Sequence, residues 1–276
     1  MNALLEVRGL GKSFGGSSRL SLGRGKVATK AVDDVSFTVT KGRSVAVVGE
    51  SGAGKSTVGR LVLRLIEPDE GTITFDGVDL RAQSSDAMRQ MRRRMQMVFQ
   101  DPYSCLNPRM SIAESIGEPL VVHDLASRAE REAKVAEMLD RVGLGSRFLR
   151  RFPVELSGGQ LQRVAIARAL IVEPDFIVCD EPTAALDVSV QAQVLELLTQ
   201  MQQEFGLALL FITHHLALVE VIADDVLVMK RGRVVEQGPV AEVLRNPREE
   251  YTRDLLAAVP SPIPRALRDQ TPLTLN

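Results

Sequence analysis

Nine consecutive residues, Gly49-Glu50-Ser51-Gly52-Ala53-Gly54-Lys55-Ser56-Thr57, make the strongest chemical statement in this chain. They fit the pattern G-x-x-x-x-G-K-[ST], in which glycines allow successive backbone N–H groups to converge on phosphate oxygens. Lys55 is expected to reach the β- and γ-phosphates of a bound nucleotide, and the Ser56 hydroxyl to ligate Mg²⁺. A second group stands far along the chain. Phe176-Ile177-Val178-Cys179 is apolar and ends in Asp180-Glu181-Pro182, so two carboxylates arrive together at the end of a predicted strand. Open α/β sheets bind their ligands at that edge. The pairing predicts a nucleoside-triphosphate site with acidic residues beside it.

Such residues work only if the right elements hold them. The apolar run Val45-Ala46-Val47-Val48 precedes the glycine loop, and Val58, Leu61, Val62 and Leu65 follow it at helical spacing. Strand, loop and helix N-terminus thus come in the required order, and the helix start adds free N–H donors and the positive end of its dipole. A chance glycine-rich turn is the competing reading, and both flanks argue against it. Gly71 to Phe75 and the alternating Val35 to Val39 predict further strands. The unbroken apolar runs Phe176–Cys179 and Leu209–Ile212 predict central strands covered on both faces. These alternate with helical patterns, so the fold class expected is α/β with a mainly parallel sheet. Between Pro102 and Leu156 the pattern turns helical around the charged, amphipathic Arg128 to Val142. A helical subdomain over about 101–157, inserted in a folded unit spanning 1–258, is the organisation this predicts. Gly15-Gly16-Ser17-Ser18 opens a Gly/Ser- and Arg/Lys-containing insertion running to Lys30, and a tail over 259–276 carries Pro260, Pro262, Pro264 and Pro272. Both are expected to be poorly ordered.

Bulk composition narrows the classes. With 276 residues the chain can bury a substantial core, and a net charge of −1 gives no global basic field to draw nucleic acid. The cluster Arg89, Arg92, Arg93 and Arg94 reads as a solvated helix face near a C-terminus, where cations suit the dipole. No apolar run approaches the roughly 18 residues of a membrane span. Acidic Glu6 arrives early and no apolar block follows it, so no secretory signal pattern is expected. Cys105 and Cys179 form neither a metal spacing nor a disulfide framework. A soluble, cytoplasmic chain is expected.

Leu156-Ser157-Gly158-Gly159-Gln160, followed by Leu161-Gln162-Arg163-Val164-Ala165, resembles the signature sequence of ABC-type ATPases. Together with the glycine loop it makes the chain similar to an ABC nucleotide-binding domain over nearly its whole length. Ser157-x-x-Gln160 is also a capping box, and a capped helix start can itself be an anion site. The resemblance implies a P-loop NTPase core with an antiparallel β portion and the inserted helical subdomain. It implies ATP and Mg²⁺ as ligands, and an active site completed only when Ser157–Gln160 face the P-loop of a second subunit. By the same resemblance Asp180 acts on Mg²⁺, directly or through water, and Glu181 is the general base toward the attacking water, worth typically about 10²–10⁴-fold in rate. Gln100, after Met97-Val98-Phe99, matches the Q-loop glutamine that contacts Mg²⁺ or water. His214, directly after the Leu209–Thr213 strand, matches the switch histidine on the γ-phosphate; its neighbour His215 stands where Asp is commoner. Asp187, in Ala185-Leu186-Asp187, matches the D-loop that crosses the dimer interface, although Thr183-Ala184-Ala185 departs from the usual Ser there. Phe14 stands where an aromatic commonly stacks on adenine; an ordinary core or loop phenylalanine is the alternative.

Three further segments resemble one branch of the family. Phe99-Gln100-Asp101-Pro102-Tyr103-Ser104-Cys105-Leu106-Asn107-Pro108-Arg109-Met110 looks like the segment of di- and oligopeptide import ATPases, a group that includes nickel importers. Leu186 to Val194 is similarly typical, and Pro247, Tyr251-Thr252-Arg253 and Leu255-Leu256 resemble the start of that group's C-terminal extension. Since no cysteine follows Cys179, the iron–sulfur site of some relatives is not expected. The resemblance implies a peripheral subunit on the cytoplasmic face of a bacterial inner membrane. Its expected partners are a second ABC ATPase subunit, identical or homologous, two transmembrane permease subunits and an extracytoplasmic solute-binding protein, with no direct nucleic-acid contact. An ATPase of a soluble enzyme assembly such as the carbon–phosphorus lyase complex is the other reading left open.

Overall fold

Three short strands, β3 (Ser44–Val48), β7 (Phe176–Asp180) and β8 (Ala208–Ile212), are buried at every residue. In the computed structural model, which describes residues 3–15 and 29–258, they form the middle of a six-stranded sheet. Most of the insertion expected between 15 and 30, and the tail 259–276, lie outside the described residues. The sheet order is β10 (Arg233–Pro239), β9 (Asp225–Lys230), β3, β8, β7, β6 (Met95–Val98). All neighbours run parallel except β10, which pairs antiparallel at the edge. Burial on both faces explains the unbroken apolar runs.

Alternation along each strand sends side chains to two separate cores. Ile177, Cys179, Leu209 and Phe211 face the helical side, while Phe176, Val178, Leu210 and Ile212 face the other. The helical side holds α3 (Pro102–Cys105), α4 (Ile112–Val122), α5 (Arg128–Arg141), two single turns at Ser146–Phe148 and Pro153–Glu155, α6 (Gly158–Leu170) and α7 (Val188–Phe205). The opposite face packs α1 (Lys55–Val62) and a four-stranded antiparallel sheet, ordered β2 (Thr29–Thr40), β1 (Ala3–Phe14), β4 (Glu70–Phe75), β5 (Val78–Asp79). Ala46, Val48, Val226 and Val228 form a third cluster with α8 (Leu216–Ile222), α9 (Val240–Arg245) and α10 (Glu250–Ala257).

One close approach governs how α1 sits. At Gly59 a Cβ would stand 2.8 Å from Ile212 Cδ1 and 2.9 Å from Val178 Cγ1. A side chain there would force Ile212 and Val178, or the helix that carries the phosphate loop, to give way. The arginine cluster behaves differently from its expected solvated face. On α2 (Ser85–Arg94), Arg94 bonds both Asp175 at 2.6 Å and Asp76 at 2.7 Å, Arg92 donates to the Arg64 carbonyl, and Arg89 to that of Val122. The cluster ties α2 to β7's approach, to the end of α1 and to α4. Arg93 keeps the solvated role, and Arg89 stays exposed while making its bond.

Candidate active site

Sheet order brings the chemistry together. β3, β8 and β7 are neighbours in parallel, so the loops leaving their C-terminal ends share one edge. The glycine loop leaves β3, Thr213-His214 leaves β8, and Asp180-Glu181 ends and leaves β7. β6 lies beyond β7 and delivers Gln100.

The loop from Gly49 to Gly54 is shaped by what crowds it. Gly49 (φ +149°) and Gly54 (φ +102°) have backbone that side-chain residues rarely adopt, and a Cβ at either would collide with the carbonyl oxygen of Met229 or of Ala31. The Gly232 N–H donates to the Ala53 carbonyl at 2.9 Å, so the β9–β10 turn also grips the loop. The first helical bond of α1 runs from Val58 N–H to the Gly54 carbonyl at 3.0 Å. The N–H groups of Lys55, Ser56 and Thr57 therefore lack intrahelical acceptors, and no side chain caps the helix. Lys55 folds back over this cradle, donating from Nζ to the carbonyls of Gly49 at 2.8 Å and Glu50 at 2.9 Å. Its side chain is 4% exposed, and burial pulls its pKa below the ordinary lysine range against the opposing charges of Glu181 and Asp180.

Ser56 Oγ donates to Asp180 Oδ1 at 2.7 Å. Burial pushes the Asp180 carboxyl upward, opposed by the Ser56 hydrogen bond and the charge of Arg60. Two hard oxygens so close, one a carboxylate starved of solvent, fit Mg²⁺, which binds proteins through one or two carboxylates plus substrate phosphates. A divalent cation would also relieve the desolvated charge.

Glu181 is the hub. Its Oε1 lies 3.2 Å from His214 Nδ1 and 4.0 Å from Lys55 Nζ, and its Oε2 accepts from Gln100 Nε2 at 3.3 Å. The backbone there is left-handed (φ +46°), a strained conformation for a residue with a side chain, while its N–H donates to Ile212 O at 2.9 Å. The strand thus ends in a forced turn that aims one carboxylate along the sheet edge. Of the two histidines, His214 carries the ring at Glu181; His215 starts α8, its N–H bonded to Thr213 Oγ1 at 3.0 Å. Gln100 uses its amide N–H on Glu181, and that bond leaves its amide oxygen uncommitted. Phe14, at the end of β1, is 44% exposed, and Lys12 Nζ lies 5.8 Å from its ring centre.

Ser157, Gly158, Gly159 and Gln160 stand apart from this group. Among the described residues no hydrogen bond or ion pair links them to Lys55, Ser56, Asp180, Glu181 or His214. Their capping box is formed: Gln160 N–H donates to Ser157 Oγ at 3.4 Å, and Ser157 N–H to Gln160 Oε1 at 3.0 Å. Asp187 caps α7, accepting from Val190 N–H at 3.0 Å and Ser189 Oγ at 2.7 Å. Where the expected Ser is absent, Gln191 Nε2 holds the turn by donating to the carbonyls of Thr183 at 3.0 Å and Leu186 at 3.1 Å. Neither Gln191 nor the loop-gripping Gly232 lies in a phosphate-binding pattern: the first acts locally on the turn before α7, and the second reaches Ala53 only through tertiary contact.

Residues 32–184 match the protein-family description "ABC transporter", more than half of the chain. The chain belongs to the ABC transporter family. This ABC ATPase is 49% identical over 270 residues to the oligopeptide transport ATP-binding protein OppF of Haemophilus influenzae, covering 97% of this chain and 81% of that one. It is 47% identical over 263 residues to OppF of Bacillus subtilis, with 95% and 84% covered. Among solved structures, a dimeric post-hydrolysis state of the ATP-binding cassette MJ0796 with ADP and Pi superposes with a TM-score of 0.75 at 29% identity, covering 86% of this chain and 98% of that one. The cbiO1 subunit from Clostridium perfringens, part of the ABC transporter complex cbiONQ, gives 0.76 at 30% identity, with 89% and 92% covered. The α/β cassette fold, ATP binding and ATP hydrolysis follow from membership of this family.

Proposed function

We propose that this ABC ATPase powers an importer of peptides or related small solutes, lying peripherally on the cytoplasmic face of a bacterial inner membrane. The Glu181 cluster carries the chemistry of this reading: one carboxylate met by His214, Gln100 and Lys55 beside the glycine cradle. Relatives near half identity named for oligopeptide and di/tripeptide transport carry its branch. The soluble-assembly alternative gains nothing from those relatives.

In this mechanism the cradle amides and Lys55 bind the β- and γ-phosphates of ATP, with Phe14 stacking on adenine. Ser56 and Asp180 would hold Mg²⁺, which would supply positive charge to the phosphate oxygens. Glu181 accepts the proton of the attacking water, and His214 turns from Glu181 toward the γ-phosphate. Ser157–Gln160 and Asp187 complete the site of a second ATPase subunit. ATP then favours the closed pair and hydrolysis releases it.

A groove of about 1050 Å³ runs between α4, α5 and the Ser146–Phe148 turn. Gly117, Val121 and Val135 line it with Glu118 and Arg131, and α3 joins α4 to the Gln100 segment. An apolar channel with charged edges suits a cytoplasmic segment of a permease, so motion at Gln100 reaches the membrane partner. Among the described residues no helix is long and apolar enough to cross a membrane itself.

The test is mild detergent extraction of the tagged chain from its host, with mass spectrometry of what co-purifies. Two multi-span permeases and a related or identical ATPase are expected, with a solute-binding protein in the same system. Soluble metabolic enzymes without a permease would refute the importer reading and leave ATP hydrolysis untouched.

A further inference from the structure

α10 contributes nothing to the Glu181 cluster, yet it touches the phosphate loop. Tyr251 Oη accepts a hydrogen bond from the Glu50 N–H at 3.2 Å. Among the described residues this is the only side-chain hydrogen bond that reaches Gly49–Gly54 from outside the loop and its own helix. The Tyr251 ring is 8% exposed, shares a core with Val48 and Val228, and has Lys230 Nζ 4.3 Å from its centre. α10 is itself anchored. Glu236 on β10 accepts from the N–H groups of Arg248 at 2.8 Å and Glu249 at 3.3 Å, and Arg253 Nη1 donates to the carbonyls of Pro247 and Arg248 at 3.0 Å each.

Glu50 is where the loop's internal bonds converge. Its carbonyl accepts from Lys55 Nζ at 2.9 Å and from the Ala53 N–H at 3.1 Å. Holding its N–H therefore restrains the residue whose carbonyl helps seat the phosphate lysine. The other external restraints come from backbone: Met229 against Gly49, Gly232 on Ala53, Ala31 against Gly54.

We propose that Tyr251 is a positioning residue for nucleotide binding, its hydroxyl locking the Glu50 peptide so that the loop and Lys55 meet ATP in a prearranged geometry. A cradle set in advance loses less order when phosphate arrives, so the contribution appears in affinity. The segment after the nucleotide-binding core thereby becomes part of the ATP site without touching ATP. The proposal rests on the glycine loop being that site.

The experiment compares ATP binding by the full chain and its variants, using displacement of a fluorescent ATP analogue, with thermal melting of the nucleotide-free proteins. Tyr251→Phe deletes one oxygen and keeps the ring, its packing and the lysine above it. It is expected to weaken ATP affinity by about two- to tenfold, the range of one neutral hydrogen bond, with little change in melting. In the assembled complex the KM for ATP should rise by a similar factor while kcat at saturating ATP holds. Unchanged affinity, with or without a lower melting temperature, would reduce Tyr251 to a packing residue and overturn the proposal. Lys55→Ala separates the two ideas. Weak binding in Lys55→Ala with normal binding in Tyr251→Phe defeats the tyrosine brace alone; normal binding in Lys55→Ala defeats the site assignment and the brace with it.

Discussion

The helix starts at Lys55 and at Gly158 both involve glycine, in the loop before the first and in the opening residues of the second, and both suit an anion, but their surroundings differ. The first has no side-chain cap, its lysine is folded over the cradle, and three neighbouring strand ends supply Asp180, Glu181, His214 and Gln100. At the second, the Ser157–Gln160 box pairs two of the N–H groups, and its near neighbours are Leu186 and Val190 of the Asp187 segment. One is a pocket with its chemistry in place. The other is a capped helix start that no residue of the Glu181 cluster meets, and in the proposed function it serves a second subunit. The contrast teaches how labour is divided in the proposed pair: hydrolytic groups sit along one sheet edge, while a second contact on the phosphates is lent across an interface.

The largest expected effect breaks the pocket. Glu181→Gln removes the oxygen that takes the water's proton, so turnover should fall by about 10²–10⁴-fold while ATP still binds. Steady-state hydrolysis and nucleotide binding together check this; undiminished turnover would rule Glu181 out as base. Next, Gly59→Ala tests the seating of α1. Its Cβ meets Ile212 and Val178 inside the core, so a loss of about 1–3 kcal/mol is expected in denaturant unfolding. A change near zero would mean that the clash is absorbed by Ile212, Val178 or α1, or offset by alanine's better helix propensity.

Ser157→Ala sharpens the contrast on the other side. Loss of the cap should cost about 1 kcal/mol of stability. ATP affinity of the isolated chain should stay as it was, with turnover lowered only in the assembled complex. Weakened ATP binding by the isolated chain would show instead that Ser157 serves its own pocket.

The smallest effect concerns Asp180 in nucleotide-free, metal-free protein. Burial raises its folded-state pKa above the unfolded value, so between the two values the folded chain holds more protons and stability falls as pH rises. The cost is complete above the folded pKa and is relieved as pH falls through it. Asp180→Asn should therefore be more stable than the parent near neutral pH, with the gap narrowing as the pH is lowered in denaturant titrations. A gap that widens on acidification contradicts the burial argument.

Much of the site was legible because its pieces are local. The glycine loop, the Asp180-Glu181 strand end and the Ser157–Gln160 box are each set by residues a few positions apart, where φ restrictions, strand alternation and capping act. The cluster Arg89–Arg94 shows the limit: read locally it is a solvated face, whereas Asp76 and Asp175, distant in sequence, make it a tie between elements. Gln191 likewise stands in a readable helix, yet its grip on Thr183 and Leu186 depends on how that helix is entered.

From sequence alone came the phosphate cradle, the α/β alternation, the helical insertion and the carboxylates at a strand end, since all follow from short-range geometry and burial pattern. Tertiary structure decided that β3, β8 and β7 lie side by side, that the His214 ring rests against Glu181, that Gly59 lets α1 onto the sheet and that Tyr251 reaches the loop. Those choices depend on pairing and packing between residues far apart in the chain, where the gain is shared among many contacts and no single residue announces it.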